Sequence, residues 1–451
     1  MKNILSLLII LVCLAQCGVA AGKVKPEQHN GWRTQFEGNG WVLYVENDSA
    51  WTDIKEYFAH EEIMKKRTYR VVIEEGVTEV SDSALSDWYL TEISLSQAKG
   101  LKRIGKYAFF RGDDGENDAS ATFPDEFAFP EGLEYIGDNA FGRRGSSSSF
   151  NYFRGCHVTF PKSLKYIGRD AFRGAGMDSV TFSKGLEYIG LSAFYGNNFD
   201  SVKLPDGLKE VHCAFIISSV EIPEGMEYYT FRGSFDLKSV KFPQNDTWIP
   251  RDAFTGCVDL YRSEGQTDRL VLPDGIRIIG QRAFCGCTAL KYIVLPASVD
   301  TVEKESFYQI TGKSGNNNFR VDCYAVEPPG MRAYIEGWKN PYSQWANVKG
   351  GDAMTDLYVP AESVEKYKAS QWAKEFNIYA LDPKDNPYTA IRDVEGNKLK
   401  VSVRGGVVSV EGVDEFDVYD MSGRKMPAGR PLPAGVYVVT TGTGSERVVV
   451  K

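Results

Sequence analysis

Gly-Leu-Glu-Tyr-Ile-Gly occurs twice in this chain of 451 residues, at 132–137 and at 185–190, and in both copies Ala-Phe follows after two further residues. Degenerate copies of the same pattern fill the sequence between and around these two. A motif that recurs every ~20–30 residues is typical of a solenoid, in which each coil buries its apolar side chains against its neighbours. The repeat therefore predicts the architecture before any residue is assigned a chemical role.

Aligned on the Ala-Phe step, each copy contributes one apolar triplet to the pattern. The triplets of the regular copies are Leu101, Ile104 and Phe109; Leu133, Ile136 and Phe141; Leu164, Ile167 and Phe172; Leu186, Ile189 and Phe194; Leu208, Val211 and Phe215; Ile276, Ile279 and Phe284; and Val299, Val302 and Phe307. Shorter or irregular copies lie at 226–231 and 248–254. We expect the triplets to form columns in one continuous core, and the irregular coils to bend or deviate.

A short strand of alternating polarity precedes many copies, as at 202–205. Alternation in a strand places Val202 and Leu204 towards the core and Lys203 towards solvent. A proline ends the strand because it cannot donate a ladder hydrogen bond. The glycine that follows, such as Gly275, is expected to provide the turn into the next apolar triplet.

The pattern Leu-x-x-Ile-Gly-x-x-Ala-Phe, joined to Leu-x-x-Ile-x-Leu-Pro at 290–296, resembles the BspA-type leucine-rich repeat of bacterial surface proteins. The resemblance covers about 71–329 and is specific because the pattern recurs in register. It implies a mostly β chain with a right-handed leucine-rich-repeat solenoid at 71–330. It also implies a cell-surface protein that adheres to host or matrix components, but it assigns a role to no residue of this sequence.

The N-terminus has the composition of an export signal, because Lys2 is followed by a nearly continuous apolar run and then by small residues. The run is shorter than the ~20 residues of a membrane-spanning helix, and no later segment is long enough. Cleavage after Ala21 predicts a signal peptide at 1–21, and the alternative is a lipoprotein anchored through Cys17. We favour cleavage after Ala21, since Gln16 departs from the small residue that lipoprotein signals have before the cysteine.

Two segments that do not repeat flank the solenoid. Residues 22–70 contain three tryptophans and an apolar run, which predicts a small β-rich N-terminal cap. Residues 331–382 contain a last strand and then a segment, 363–376, that is expected to form a helix with its apolar side towards the solenoid. Ser363 is the expected N-cap of this helix. Both segments would cover the open ends of the core.

The C-terminal region, 383–451, follows a polar linker and is predicted to be a small β-sandwich. Its pieces at 418–424, 434–439 and 447–451 resemble a type IX secretion C-terminal sorting domain. That resemblance implies that the chain crosses an outer membrane and that this domain is a delivery tag. The alternative is an ordinary β-sandwich that the mature protein retains.

The composition disfavours several classes of function. The net charge of −8 argues against a nucleic-acid partner, because phosphate binding depends on clustered Lys and Arg. The four histidines are isolated, and no zinc-protease, nucleophile-elbow or phosphate-loop pattern occurs. We therefore predict no enzyme activity, no catalytic residues, no cofactor and no metal site. The placement of six later cysteines follows the repeat, which favours buried free thiols over disulfides.

One inserted loop contains two features that invite a functional interpretation. Arg111-Gly112-Asp113 spells an integrin-recognition tripeptide, but Phe-Arg-Gly recurs in other copies, so we attribute the Arg-Gly to the repeat turn. Four carboxylates at 113–118 would suit Ca²⁺, but the EF-hand spacing is absent. We therefore favour a solvated acidic loop over a Ca²⁺ site.

The candidate ligand-binding residues are Tyr135, Tyr166 and Tyr188, which occupy the same position between Leu and Ile on three consecutive coils. Stacked coils place them in a row that could serve as a platform for sugar rings or for the apolar groups of a partner. The competing interpretation is that the tyrosines only cover the flank of the sheet and pack on one another.

Together these features predict an exported, monomeric protein, secreted or on the cell surface, without a transmembrane segment. Its expected partner is an extracellular protein or glycan, bound in adhesion or host interaction. The alternatives are a glycan-binding accessory module and a structural surface spacer without a specific ligand.

Overall fold

The computed structural model describes residues 27–37, 40–58, 69–88, 90–112, 125–143, 153–261, 269–310, 319–332, 355–382, 387, 401–405, 407–410, 416–420, 425–427, 429–433, 435–441 and 444–450. The chain divides into two compact units, Met1–Ala380 and Leu381–Lys451. The predicted signal peptide and the acidic loop at 113–118 lie outside the described residues.

The N-terminal part of the first unit is a five-stranded sheet with one helix. Its strands, in the order β1-β2-β3-β4-β6, are β1 (Glu27–Gln28), β2 (Trp32–Glu37), β3 (Gly40–Val45), β4 (Tyr69–Ile73) and β6 (Leu90–Ser94). Strands β2 and β3 are antiparallel, whereas β3, β4 and β6 are parallel, so the hairpin extends the sheet that the first coils begin. Helix α1 (Ala50–Tyr57) was not predicted from the sequence and buries Trp51 and Ile54.

Two rows of short parallel strands form the sides of the coils. The strands of the first row, which we call the front sheet, are β5 (Glu79–Val80), β7 (Arg103–Ile104), β9 (Tyr135–Ile136), β11 (Tyr166–Ile167), β13 (Tyr188–Ile189), β15 (Glu210–His212) and β17 (Tyr228–Thr230), and then β19 (Trp248–Ile249), β21 (Ile278–Ile279), β23 (Thr301–Glu303) and β25 (Gly330–Arg332).

The second row, the back sheet, lies on the other side of the core and has three parts. Its strands are β8 (Glu126–Ala128), β10 (His157–Thr159) and β12 (Ser179–Thr181); β14 (Ser201–Lys203), β16 (Ser219–Glu221) and β18 (Ser239–Lys241); and β20 (Arg269–Val271), β22 (Tyr292–Leu295), β24 (Arg320–Cys323), β26 (Thr355–Val359) and β27 (Phe376–Ala380).

The apolar triplets form the columns that the repeat predicted. Every Leu, Ile and Phe in the triplets between 101 and 194 is at most 1 % exposed. The rings of Phe109, Phe141, Phe172, Phe194 and Phe215 stack in sequence with centroid separations of 5.1, 5.2, 5.3 and 5.1 Å. Each ring therefore depends on the coils on both sides of it, as a solenoid core requires.

The second glycine of the repeat is required by close approach between coils. A Cβ on Gly168 would lie 2.5 Å from the backbone nitrogen of Asp138 and 2.6 Å from the carbonyl carbon of Gly137. The turn glycines differ among themselves. Gly207 adopts φ +89°, as predicted for a turn, whereas Gly275 does not adopt positive φ and is instead close to the Asp246 carbonyl oxygen, which would lie 2.9 Å from its Cβ.

The residue before each Ala-Phe step has a left-handed backbone although it is not glycine. This feature, which the sequence did not predict, occurs at Tyr107, Asn139, Asp170, Ser192, Cys213, Asp252 and Arg282, with φ between 44° and 59°. Non-glycine residues rarely adopt this conformation. The backbone hydrogen bonds between successive turns, such as Phe172 N to Ala193 O at 2.7 Å, hold it in place.

Both sheets are interrupted at the irregular coils. The front sheet stops at β17 and resumes at β19, and the back sheet stops at β18 and resumes at β20. The turns between the front and back strands, which we call the turn side, remain connected through backbone hydrogen bonds from Phe231 N to Ala253 O, from Gly233 N to Thr255 O and from Tyr261 N to Lys238 O.

The C-terminal cap differs from the single helix predicted at 363–376. The segment consists of a 3₁₀ turn (Ala361–Ser363), helix α2 (Val364–Lys368), a second 3₁₀ turn (Gln371–Lys374) and strand β27. Ser363 makes no capping hydrogen bond; Ser370 caps the second turn instead, by accepting from Trp372 N. Tyr367, Trp372 and Phe376 are buried in the core, in line with the apolar pattern.

The second unit contains antiparallel strands, as expected for a small β domain. One sheet pairs β28 (Val401–Arg404) with β29 (Val407–Val410); the other has the order β31-β30-β32-β33, with β30 (Asp417–Asp420), β31 (Lys425–Met426), β32 (Gly435–Thr441) and β33 (Gly444–Val450). Val418 and Val439 are fully buried in its own core.

Candidate functional site

The structure brings the three predicted tyrosines together on the outer face of the front sheet. Strands β9, β11 and β13 pair in parallel and in register, so that Tyr166 lies beside Tyr135 on one side and Tyr188 on the other. The ring centroids of Tyr135 and Tyr166 are 4.8 Å apart, and those of Tyr166 and Tyr188 are 4.7 Å apart. The planes are within 5° of parallel. We call these three residues the tyrosine row.

The row faces outward because each tyrosine precedes an inward isoleucine in its strand. Ile136, Ile167 and Ile189 are fully buried, whereas the neighbouring tyrosines are half-buried. Alternation along a strand places consecutive side chains on opposite faces. In-register pairing then aligns the same outward position of every coil.

The flat faces of the rings are covered by neighbours along the row. Tyr166 is covered on both faces by the other two tyrosines. The guanidinium of Arg103 lies 5.1 Å from the Tyr135 ring centroid, and the His212 ring lies 5.3 Å from that of Tyr188. The row therefore presents ring edges and hydroxyl groups, rather than ring faces, to an approaching molecule.

The hydroxyls of Tyr166 and Tyr188 are neutral hydrogen-bond donors at physiological pH. Burial, with a smaller contribution from the neighbouring Tyr188, raises the pKa of Tyr166 to about 12. Burial and the Glu210 carboxylate also raise the pKa of Tyr188. Within the described residues, no hydroxyl of the row makes a hydrogen bond to the protein, so these donors face outward for a partner or solvent.

A column of alternating charge runs beside the row, one residue earlier in each coil. It consists of Lys102, Glu134, Lys165, Glu187, Lys209 and Glu227, and we call it the charged stripe. Backbone hydrogen bonds of 2.8–3.0 Å link each member to the next, from Glu134 N to Lys102 O through to Glu227 N to Lys209 O. Glu187 forms ion pairs with Lys209 at 2.7 Å and with Lys165 at 3.7 Å.

A second aromatic array lies on the back sheet and was not predicted. We call Arg269, Tyr292, Arg320, Tyr358 and Tyr379 the arginine–tyrosine stack. The Arg320 guanidinium is 4.8 Å from the Tyr292 centroid and 3.9 Å from that of Tyr358, whose ring is 5.2 Å from that of Tyr379. Inserted loops make the coil lengths unequal here, which hides the alignment in the sequence.

A buried carboxylate holds the arginine of this stack. Asp322 is fully buried, and its oxygens accept hydrogen bonds from Arg320 Nε at 2.7 Å and Nη2 at 3.0 Å, and from the Tyr292 hydroxyl. Burial and the bond to Asp322 raise the pKa of Tyr292. Because a buried charge needs such partners, this part of the stack is structural.

A polar pair replaces two apolar positions of the core at the interrupted coil. Asp246 occupies the Leu position and Tyr229 the Ile position of the repeat, and they are 8 % and 1 % exposed. Neither Asp246 Oδ2 nor the Tyr229 hydroxyl has a hydrogen-bond partner in the part of the chain that the structure describes. Burial, and secondly the Glu224 carboxylate, raise the pKa of Asp246 to about 6.

Five of the six cysteines beyond the predicted signal are buried, and Cys213, which has a left-handed backbone, is half-buried. All six beyond the predicted signal are free thiols, and those of Cys257 and Cys287 donate to the carbonyl oxygens of Phe231 and Phe254 at 3.2 and 3.1 Å. Cys285 lines a groove of about 430 Å³ together with Arg282 and Glu305. Burial raises the pKa of the Cys285 thiol, so the groove contains no activated nucleophile.

Other expectations concern residues that the structure describes only in part. Arg111 and Gly112 are described, with Gly112 N donating to Asp87 Oδ1 at 2.6 Å, but Asp113 and the acidic loop are not. Among the described residues, no cluster of three His, Cys, Asp or Glu side chains could hold a metal ion. In the same part of the chain, no helix has both the length and the apolar character needed to span a bilayer.

Several solved structures resemble the chain at low identity. A leucine-rich repeat protein from Bacteroides ovatus is 18% identical, with a TM-score of 0.42, covering 79% of this chain and 100% of its own. A leucine-rich cell surface protein from Faecalibacterium prausnitzii is 16% identical, with a TM-score of 0.30, covering 70% and 97%. The pneumococcal vaccine antigen PcpA is 14% identical, with a TM-score of 0.39, covering 79% and 99%.

Sequence families give a more specific result. No curated protein matches the chain at a significant level. The family model of the BspA-type leucine-rich repeat region matches six copies, at 56–157, 146–261 and 259–320. These matches span more than half of the 451 residues and coincide with the coils described above. The chain therefore belongs to the BspA-type leucine-rich-repeat family.

Proposed function

We propose that this chain is an exported, non-enzymatic surface protein whose front sheet binds an extracellular protein. The observation that supports this most directly is the tyrosine row, where three half-buried aromatic side chains direct hydroxyls outward beside a column of charges. Tyrosine is enriched at protein interfaces because one side chain supplies both apolar area and a polar group. Membership of a family of bacterial surface repeats is consistent with that location.

The geometry of the row favours a protein over a sugar as its ligand. Sugar rings stack on the flat faces of aromatic side chains, and those faces are covered along the row. Ring edges, hydroxyls and flanking charges suit the mixed polar and apolar surface of a protein partner.

A glycan is the second candidate ligand, and Tyr379 is the observation that favours it. This residue is 45 % exposed, its ring stacks on Tyr358 at one side, and it lies on β27, the last strand of its sheet. An exposed tyrosine ring at the end of a stack offers one surface for a sugar ring.

The test combines a binding screen with matched tyrosine variants of the full chain. Host-matrix proteins and a glycan array are probed with the wild type, with Tyr166→Ala and with Tyr195→Ala. Tyr195 is a suitable control because it is 41 % exposed but lies outside the row, near Arg173. We expect matrix-protein binding that Tyr166→Ala weakens at least about tenfold and that Tyr195→Ala leaves unchanged.

Other outcomes of the screen point to the alternatives. Sugar binding that is lost in Tyr379→Ala, without matrix binding, supports a glycan-binding accessory module. If neither screen gives a specific ligand, the structural spacer is the better description and the proposal is wrong.

We also propose that the second unit directs export as a secretion sorting domain. It is a compact unit of its own with antiparallel strands, which is compatible with a detachable tag. Deleting 382–451 should abolish surface display, whereas unchanged display would contradict the sorting role. An intact mass of the mature protein distinguishes cleavage after Ala21 from lipid attachment at Cys17.

A further inference from the structure

We propose that the front-sheet face carrying the tyrosine row and the charged stripe binds a second copy of this chain, antiparallel and related by a two-fold axis. This inference rests on the proposed function of that face as a binding surface and names its partner. It departs from the monomer expected from the sequence, and it gives the surface protein a homophilic mode of adhesion.

The order of charges along the stripe carries the argument. From the coil of β7 to the coil of β17, the stripe alternates Lys, Glu, Lys, Glu, Lys, Glu. Read in the opposite direction, every position has the opposite sign. Two copies that face each other with reversed stacking direction therefore match Lys102 with the second copy's Glu227, Glu134 with its Lys209, and Lys165 with its Glu187.

The regular geometry of the sheet makes this match feasible in space. The strands that carry the stripe pair in parallel and in register from β7 to β17. A two-fold axis along the strand direction, between the coils of Tyr166 and Tyr188, reverses the stacking order but keeps each column opposite itself. The charged stripe of one copy then faces the charged stripe of the other copy, and the two tyrosine rows face each other.

The same axis brings compatible groups together along the tyrosine column. Its members, in order, are Arg103, Tyr135, Tyr166, Tyr188, Glu210 and Tyr228. Tyr166 meets Tyr188 of the second copy at the centre, and Arg103 meets Tyr228 at each end. Tyrosine edges pack at the centre while charged groups surround them, which is the usual organisation of an interface.

Interactions within one chain account for only part of the alternation. Lys165 and Lys209 pair with Glu187, but Lys102, Glu134 and Glu227 make no direct ion pair with any described residue. Alternation alone does not indicate a partner, because avoiding like charges on adjacent strands also produces it. The back sheet has such a column, Lys203, Glu221 and Lys241. Because this column has three members, a reversed second copy would place lysine opposite lysine and glutamate opposite glutamate, so the two columns would repel each other.

Charge reversal on the full chain tests the proposal, with sedimentation velocity at low and high salt as the readout. We expect a concentration-dependent dimer that salt weakens. Lys165→Glu, which places like charges opposite each other twice per dimer, should weaken dimerisation at least about tenfold. Lys203→Glu on the back sheet is the matched control and should leave the dimer unchanged.

A double variant separates pairing between chains from pairing within one chain. In Lys102→Glu/Glu227→Lys, the carboxylate introduced at position 102 faces the ammonium introduced at position 227 of the second copy, so the dimerisation that Lys102→Glu alone weakens should return. Within one chain these two positions lie at opposite ends of the stripe, and the variant puts the new carboxylate beside Glu134 and the new ammonium beside Lys209, so a purely internal role predicts no rescue. A monomer at all concentrations, an unaffected Lys165→Glu variant or the absence of rescue would each overturn the inference.

The matrix-protein binding screen distinguishes a failure of the dimer proposal from a failure of the proposed function. If the chain stays monomeric but Tyr166→Ala still reduces binding to a matrix protein, the face is a binding surface with a different partner. If self-association and matrix binding are both absent, both proposals fail.

Discussion

The coils at 101–215 and the interrupted coil at 226–261 are built from the same repeat but differ in how their strands connect. In the regular coils, Leu, Ile and Phe fill three buried columns and the front strands pair without a gap from β5 to β17. In the interrupted coil, Asp246 and Tyr229 occupy two of those columns, and both sheets stop beside them. The turn side and the phenylalanine column continue through the gap, with Phe231 and Phe254 6.0 Å apart.

This difference indicates which contacts hold neighbouring coils together. Strand pairing is dispensable at one step of the stack as long as the phenylalanine column and the turn hydrogen bonds persist. The front sheet, by contrast, is continuous wherever the Leu and Ile columns are complete. We infer that side-chain packing carries most of the coupling between coils.

Removing a ring from the phenylalanine column should have the largest effect. Phe194 is 1 % exposed and lies between Phe172 at 5.3 Å and Phe215 at 5.1 Å. Phe194→Ala is expected to destabilise the solenoid by about 4 kcal/mol, through lost burial and the cavity left behind. Denaturant unfolding measures the change, and hydrogen exchange should show that the coils on both sides lose protection.

The control for this variant is Phe235→Ala, since Phe235 is 54 % exposed. Its free energy of unfolding should change by less than about 0.5 kcal/mol. An unchanged stability in Phe194→Ala would show that the ring column does not couple the coils.

Neutralising the buried carboxyl of the interrupted coil should stabilise the protein. Burial raises the pKa of Asp246 from 3.8 to about 6, so the folded state holds an extra proton between these values and loses stability as the pH rises through that window. The loss is complete by about pH 7, and a pKa difference of about two corresponds to about 3 kcal/mol. Asp246→Asn should therefore raise stability at pH 7.5 by up to about 3 kcal/mol and make no difference near pH 4.

Thermal melting of both proteins across this pH range is the measurement. Asp206→Asn is the matched control, because the Asp206 side chain is 74% exposed and pairs with Lys184 at the surface. If the benefit of Asp246→Asn were the same at both pH values, the carboxylate would not be what distinguishes the interrupted coil.

Adding one methyl group between regular coils should lower the stability of the protein, although the backbone conformation at this position is open to alanine. Gly168 does not adopt positive φ, but its Cβ would lie 2.5–2.6 Å from backbone atoms of the preceding coil. Gly168→Ala is expected to destabilise by about 2 kcal/mol, because rigid backbones have to separate. Gly40→Ala, where a Cβ meets nothing within 4 Å, should leave the melting temperature nearly unchanged and serves as the control.

The sequence was sufficient to predict whatever follows from intact copies of the repeat motif. Tyr135, Tyr166 and Tyr188 share one position of regular copies, so their alignment followed from the repeat and is seen in the structure. The covering of their ring faces could not be predicted, because it depends on rotamers and on Arg103 and His212.

Features that depend on irregular coils were missed for the same reason. Unequal loops conceal the register that brings Arg320 against Tyr292 and Tyr358. Asp246 replaces the leucine that would have marked its position, so the polar pair was not recognised in the sequence. The helix predicted at 363–376 failed because apolar spacing alone does not distinguish one helix from two short turns and a strand.

The smallest expected effect concerns the turn that both kinds of coil share. Ser192 in a regular coil has φ 55°, and Asp252 in the interrupted coil has φ 56°, so this strained position does not depend on strand pairing. Glycine relieves the strain, but it also raises the conformational entropy of the unfolded chain, and this disfavours folding. Ser192→Gly should therefore stabilise by about 0.5 kcal/mol, whereas Ser201→Gly, in strand β14, should destabilise by a similar amount, about 0.5 kcal/mol. Differential scanning calorimetry of the two serine variants is the measurement: equal losses of stability in both would mean that the left-handed position is not strained.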